Sequence, residues 1–161
     1  MTKNEYYECV MEAHRPAERL IGMVPADKLE WRPGPKFMNL GQVICHLTES
    51  LGEGIRSLAT NQWPPMEEME VAMKLENIPS CGVDEALKRL NKDKQTLREV
   101  LDGISEQDFA QKVVTVPWGM QGKMERMALS FLEHFTNHKM QLFTYLKLLD
   151  LPVDTNTLYF G

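Results

Sequence analysis

The chain has 161 residues, of which 43% are apolar and 25% are charged, and its formal net charge at pH 7 is −5. This length and composition are typical of a globular protein and exclude disordered and fibrous chains, so we expect residues 1–161 to form a single domain. The negative charge argues against a general affinity for phosphate backbones, and we therefore expect no nucleic-acid partner.

Cysteine usage and the first residues of the chain indicate a reducing compartment. The three cysteines are widely spaced and form no Cys-x-x-Cys motif: Cys9, Cys45 and Cys81. The N-terminus has no apolar signal segment, and no run approaches the 18 apolar residues of a membrane span. We therefore expect a cytoplasmic protein with no membrane partner. Cys45 adjoins His46, but neighbouring helical residues point about 100° apart, so a buried, inert thiol is favoured over a catalytic pair.

Hydrophobic periodicity predicts a first helix in which one histidine belongs to the apolar stripe. The stripe steps by three and four residues and comprises Tyr7, Val10, His14, Ala17, Ile21 and Val24. Pro16 interrupts the hydrogen-bond ladder of this helix, which predicts a kink one turn from His14. The following connection, residues 25–38, is too rich in proline to be helical throughout.

The second predicted helix begins at Asn39, whose side chain can form a capping box with Gln42. Its apolar face continues over about five turns and comprises Leu40, Ile44, Leu47, Leu51 and Leu58. The next connection, from about residue 61 to 80, is too long for a simple antiparallel turn. We expect it to cross along a helical bundle.

Two more helices complete the predicted fold. The third extends from about Val83 to Leu101, and a mixed segment after it contains one β-prone run at residues 113–116. The fourth, from about Glu125 to Leu149, has the most regular stripe: Phe131, Phe135, His138, Leu142, Tyr145 and Leu149. A helix with such a stripe must pack into a bundle. The sequence thus predicts an all-α four-helix bundle with long connections after its second and third helices.

Three histidines border the buried faces of two predicted helices. His134 and His138 are four residues apart, so on a helix their Cβ atoms lie about 5–6 Å from each other and both rings can bind one ion. His46 lies at the edge of the second helix's apolar face. Three neutral imidazoles suit a divalent ion and leave coordination positions open, as in catalytic sites, where a water or a thiol loses its proton more readily. A polar patch without metal is the alternative.

The order and spacing of these motifs resemble the DinB/YfiT-like superfamily of metal-dependent four-helix-bundle proteins. The family pattern is a tryptophan-x-proline loop, a histidine early in the second helix, and His-x-x-x-His followed three residues later by glutamine. In this chain the pattern is carried by Trp31-Arg32-Pro33, by Asn39 to Leu47 with His46, and by Leu132 to Leu142 with His134, His138 and Gln141. One departure is Asn137, where the family often has a further histidine.

The resemblance implies an up-down-down-up bundle in which His46, His134 and His138 hold a divalent metal, usually zinc or nickel. It also implies a homodimer that acts on a small-molecule substrate. Family members with known activities include thiol-dependent S-transferases, which use bacillithiol, mycothiol or glutathione, and a maleylpyruvate isomerase. A low-molecular-weight thiol is therefore a candidate cofactor of this chain.

Several other residues have both a functional and a structural interpretation. His14 is favoured as a hydrogen-bonded core histidine over a fourth ligand or a proton shuttle. Glu53 is a weak candidate for a catalytic base or for an acceptor from an imidazole, against a solvated surface residue. Gln141 and Tyr145 could bind substrate or merely edge the bundle. Core packing is favoured over a substrate pocket, or over a lid above the site, for five residues of the long connections, namely Trp63, Met66, Met69, Met73 and Trp118.

Two hypotheses for the function follow from the sequence. The first is a metal-dependent enzyme, either a thiol S-transferase or a protein of related hydrolase-type chemistry, which acts on a small electrophile. The second is a non-catalytic, metal-stabilised bundle that acts as a small-molecule sensor or dimerisation module.

Overall fold

The computed structural model describes all 161 residues and is mostly helical, as predicted. The helices are α1 (Lys3–Gly22), α2 (Leu40–Leu47), α3 (Gly52–Thr60), α4 (Met66–Ala72), α5 (Val83–Gly103), α6 (Glu106–Gln111), α7 (Met124–Leu148) and α8 (Thr155–Tyr159). Two single-turn 3-10 helices, Ala26–Lys28 and Leu75–Asn77, lie in the connections. The β-prone run forms strand β1 (Val113–Thr115), which pairs antiparallel with β2 (Gln121–Lys123).

One continuous hydrophobic core joins the long helices. The helix α7 packs against α1, α2 and α3, while α5 packs against α1, α2 and α3 from another side. Most of the predicted stripe of α1 is buried. Tyr6 replaces its neighbour Tyr7 in the core, where the Tyr6 hydroxyl donates to the carbonyl oxygen of Ala128 at 3.0 Å. None of the helices is both long and apolar enough to span a lipid bilayer.

The capping box at the start of α2 is confirmed. The amide of Gln42 donates to Asn39 Oδ1 at 2.7 Å, and the amide of Asn39 donates to Gln42 Oε1 at 2.9 Å. The side-chain nitrogen of Gln42 donates in turn to the carbonyl oxygens of Leu75 and Ile78 at 2.9 and 3.0 Å. One side chain therefore fixes where α2 begins and how the long 61–80 connection lies against it.

The prediction of one continuous second helix is wrong, because the chain breaks between α2 and α3. Asp93 of α5 is buried at this break, and its Oδ1 accepts a hydrogen bond from the amide of Gly52 at 2.9 Å. Gly52 permits this approach, since a Cβ there would lie 2.4 Å from the carbonyl oxygen of Asp93. The carboxylate of Asp93 thus accepts a hydrogen bond from the first turn of α3. In a continuous helix, a backbone carbonyl oxygen of the preceding turn would accept that bond.

Candidate metal centre

Three imidazole rings converge where α2 meets α7. His46 comes from α2, and His134 and His138 come from successive turns of α7. The Nε2 atoms of His46 and His134 are 3.2 Å apart, and one nitrogen of each ring lies within 4.8 Å of the other two. We call these three residues the histidine cluster. The structure thus confirms that His46 lies close to His134 and His138.

The local sequence explains how the rings are brought together. His46 follows the capping box at Asn39 by two turns, so the start of α2 sets which side of the helix His46 occupies. The preceding loop is bound to the same turn, since the amides of Leu40 and Gly41 donate to the carbonyl oxygens of Trp31 and Leu29 at 3.0 and 2.9 Å. On α7, the four-residue interval stacks His134 and His138 with ring centroids 4.5 Å apart.

The spacing of the nitrogens suits a small divalent cation. Zinc–nitrogen bonds of 2.0–2.1 Å in tetrahedral geometry place two ligand nitrogens about 3.3 Å apart. The 3.2 Å between the Nε2 atoms of His46 and His134 agrees with that separation. All three members of the cluster are histidines, whose imidazoles suit zinc and other divalent transition ions. The three side chains are therefore positioned to bind a metal ion.

A hydrogen-bonded chain fixes the orientation of His138. Its Nδ1 lies 2.9 Å from Gln141 Oε1, which can only accept, so Nδ1 carries the proton and Nε2 keeps a free lone pair. The side-chain nitrogen of Gln141 donates to the Tyr145 hydroxyl at 3.1 Å. The ring of Tyr145 is held edge-on to Trp31, with centroids 5.5 Å apart and planes 82° apart. Gln141 and Tyr145 therefore support the cluster, as is common for groups behind metal-bound histidines.

The surroundings keep the imidazoles neutral near pH 7. Partial burial of the ring lowers the pKa of His134 to about 4, with further lowering from the charged forms of His138 and His46. Burial also lowers the pKa of His46, as does the nearby His138. For His138, burial lowers the pKa, while the hydrogen bond to Gln141 opposes that shift. Neutral rings have the free lone pairs that a metal ion requires.

The remaining candidates lie outside the cluster. His14 is buried in the core as predicted, but the expected hydrogen bond is absent because neither ring nitrogen has a partner. Glu53 is exposed and faces Arg56 at 3.4 Å, so the structure does not bring its carboxylate to the histidines. Cys45 is a buried thiol, and its Sγ accepts from Arg89 Nη1 at 3.5 Å. Asn137 is exposed and belongs to no metal-binding group.

The residues of the long connections behave differently from one another. None of the residues of α4 is buried, and Met73, which follows this helix, is 68% exposed, so the interpretation of Met66, Met69 and Met73 as core residues is wrong. Trp63 packs partly against the core. Trp118 is 49% exposed, and its ring contacts that of Trp63. Periodicity could not reveal this contact, because both residues lie outside the helices.

Comparisons with known proteins agree with this architecture. The sequence pattern of the DinB superfamily matches residues 12–141. A crystal structure described as a member of the DinB family from Exiguobacterium sibiricum is 21% identical, with 96% of each chain covered and a TM-score of 0.72. A DinB-like protein from Bacillus cereus is 12% identical, with 95% of this chain and 96% of that chain covered and a TM-score of 0.75. No protein of curated function matches the chain.

Proposed function

This chain belongs to the DinB superfamily, and on that basis we propose that it binds one divalent metal ion through His46, His134 and His138. The observation that carries the proposal is the convergence of three neutral imidazoles at a spacing that suits zinc–nitrogen coordination. Zinc and nickel are the proposed ions. The proposal includes an up-down-down-up order of the four principal helical segments, with the 61–80 connection as the crossover.

We further propose that the bound metal serves a transferase, specifically a thiol S-transferase or an enzyme of related hydrolase-type chemistry on a small electrophile. Three protein ligands would leave coordination positions open, and a divalent ion held by His46, His134 and His138 would lower the pKa of a bound water or thiol toward neutrality. In the transfer, the thiol sulfur forms a bond to the electrophilic carbon. The leaving group departs with the electron pair of the broken bond, and the thiol proton passes to solvent.

The residues of the chain have separate roles in this proposal. Gln141 holds the proton of His138 on Nδ1 and thereby presents Nε2 toward the cluster. His134 is the most exposed of the three histidines, so its side of the cluster is where a small molecule can approach. Glu53 receives no role, because its side chain faces Arg56 at the surface.

A non-catalytic, metal-stabilised bundle is the second candidate function. It is favoured by one observation, namely that the cluster contains histidines alone and no carboxylate that could act as a general base. Turnover separates the two candidates. The enzyme requires metal-dependent transfer of a thiol to an electrophile, whereas a metal-stabilised bundle gains thermal stability from the metal without turnover.

Elemental analysis of protein purified without chelator tests the metal site. We expect about one metal ion per chain, and His138→Ala should weaken metal binding by more than about 100-fold, since even loss of a supporting partner costs 10- to 100-fold. His14→Phe is the matched control, because it removes a histidine outside the cluster and should keep the metal. Metal-free wild-type protein, or equal metal content in both variants, would contradict the proposal.

A further inference from the structure

Three aromatic rings from separate segments meet at one end of the α3–α7 contact. Trp63 comes from the connection after α3, Trp118 from the turn between β1 and β2, and Phe131 from α7. The rings of Trp63 and Phe131 are nearly parallel, with centroids 6.4 Å apart and planes 16° apart. Trp118 meets Trp63 edge-on at 5.5 Å and 80°. We call these three residues the aromatic cluster.

The aromatic cluster lies beside the histidine cluster on α7. Phe131 precedes His134 by three residues, so both side chains lie on one side of the helix. Helix geometry places the Cβ atoms of two residues at this interval about 5–6 Å apart. Phe131 thus places the aromatic cluster on the N-terminal side of the histidine cluster along α7.

Gly54 of α3 allows Phe131 to lie against the neighbouring helix. A Cβ at Gly54 would be 2.5 Å from Cδ1 and 2.7 Å from Cε1 of Phe131, so any larger residue would displace the ring. The ring is thereby held between α3 and α7. Trp63 stacks on the ring of Phe131, and the exposed Trp118 packs edge-on against Trp63.

Trp118 is the member of the aromatic cluster that a ligand in solution can reach. It is 49% exposed, and Met120 on the same turn is 48% exposed. Single exposed apolar residues need no explanation, but small-molecule sites typically combine aromatic walls with a few convergent polar groups. The aromatic and histidine clusters together supply these two components.

We propose that the aromatic cluster binds a planar apolar group of the substrate while the polar end of the same molecule reaches the histidine cluster. This inference rests on the proposed metal-dependent function and narrows its substrate class to aromatic or otherwise planar electrophiles. Each well-placed aromatic pair changes affinity by about 2- to 10-fold beyond simple burial, so removing one ring should produce a measurable loss.

Two hydroxamates of different size test the inference on the zinc-loaded protein. Benzohydroxamate and acetohydroxamate share one metal-binding group and differ in the phenyl ring. By calorimetric titration, we expect the wild-type protein to prefer benzohydroxamate, and Trp118→Ala to reduce that preference by about fivefold. Affinity for acetohydroxamate should stay the same. Trp118→Phe should restore most of the preference, because a planar ring remains.

Phe160→Ala is the matched control. It removes an aromatic ring that is 69% exposed on the C-terminal segment, outside both clusters, and it should leave the preference unchanged. Retention of the full preference in Trp118→Ala, with zinc still bound, would overturn the aromatic site while leaving the metal site intact. Absence of both zinc and hydroxamate binding in the wild type would instead overturn the proposed function, and the inference with it.

Discussion

The four histidines of the chain occupy two environments that differ in what their ring nitrogens face. His14 is 1% exposed and stacks on Phe135, with ring centroids 4.6 Å apart and planes 6° apart, yet neither of its nitrogens has a partner. In the histidine cluster, one nitrogen of each ring instead lies within 4.8 Å of a nitrogen of the other two rings. Burial lowers the pKa in both environments, but only the second arrangement can be stabilised by a single cation. Convergence, rather than burial, distinguishes a candidate site from a core residue.

One helix creates both environments. On α7, His134 and Phe135 are adjacent, and adjacent helical residues point about 100° apart. His134 therefore meets His46 of α2, while Phe135 meets His14 of α1. Neither ring nitrogen of His14 is hydrogen-bonded to another residue, so no group of the protein offsets the cost of charging this ring in the core.

The largest predicted effect concerns the free energy of unfolding at acidic pH, which the charging of His14 lowers. Burial lowers its pKa to about 3, and nearby Lys94 contributes to the lowering. Because the folded-state pKa lies below the unfolded value of 6.5, the stability that neutral His14 contributes is fully present above pH 6.5 and is lost as the pH falls toward 3. In His14→Phe this loss disappears. Relative to wild type, the variant should gain about 3 kcal/mol in the free energy of unfolding between pH 7.5 and pH 4.

Urea unfolding at the two pH values measures this difference, and comparison of the two proteins cancels all the other titrating groups. Val10→Ala is a suitable control, because it truncates a buried residue of the same helix without removing a titrating group. Its destabilisation should be the same at both pH values. If His14→Phe and wild type differed equally at pH 7.5 and pH 4, the unfavourable charging of His14 in the core would be disproved.

The sequence predicted those features around the histidines that depend on local spacing. The interval between His134 and His138 and the capping box at Asn39 involve residues within one or two turns, so their geometry follows from helix parameters. The break before α3 depends on Asp93, which is 41 residues away from Gly52. No periodicity encodes such a contact, and the apolar stripe continues across the break with Leu51 and Ile55 buried.

The same limit applies to the surroundings of the histidines. The sequence identified Gln141 and Tyr145 as candidates, because they share one side of α7 with His138. It could not show that Trp31 meets Tyr145, or that Trp63 meets Trp118, since these contacts depend on the paths of connections. For His14, the apolar stripe predicted burial correctly, whereas the expected hydrogen bond is not formed, because such a bond depends on neighbours from other helices that periodicity does not identify.

The second predicted effect tests whether the order of the cluster depends on its supporting hydrogen bonds. Gln141→Leu removes the acceptor at Nδ1 of His138, so the ring can rotate and change tautomer. We expect metal affinity to fall about tenfold, the lower end of the range for supporting partners, because glutamine is uncharged. Gln141→Glu keeps an acceptor at this position and should retain affinity. Competition against a chromophoric chelator measures both variants, and an unchanged dissociation constant in Gln141→Leu would show that His138 needs no such support.

The smallest predicted effect concerns Tyr145, which is hydrogen-bonded to Gln141 and not directly to a histidine of the cluster. Tyr145→Phe removes the hydroxyl that accepts from Gln141 while keeping the ring that meets Trp31 edge-on. Because Gln141 then loses only one of its two bonds, metal affinity should fall about two- to threefold, consistent with one neutral hydrogen bond of about 0.5 kcal/mol. If Tyr145 acts only through Gln141, the substitution should have no further effect in the Gln141→Leu background. Additive losses would mean instead that Tyr145 supports the cluster by another route, such as the Trp31 loop that adjoins the start of α2.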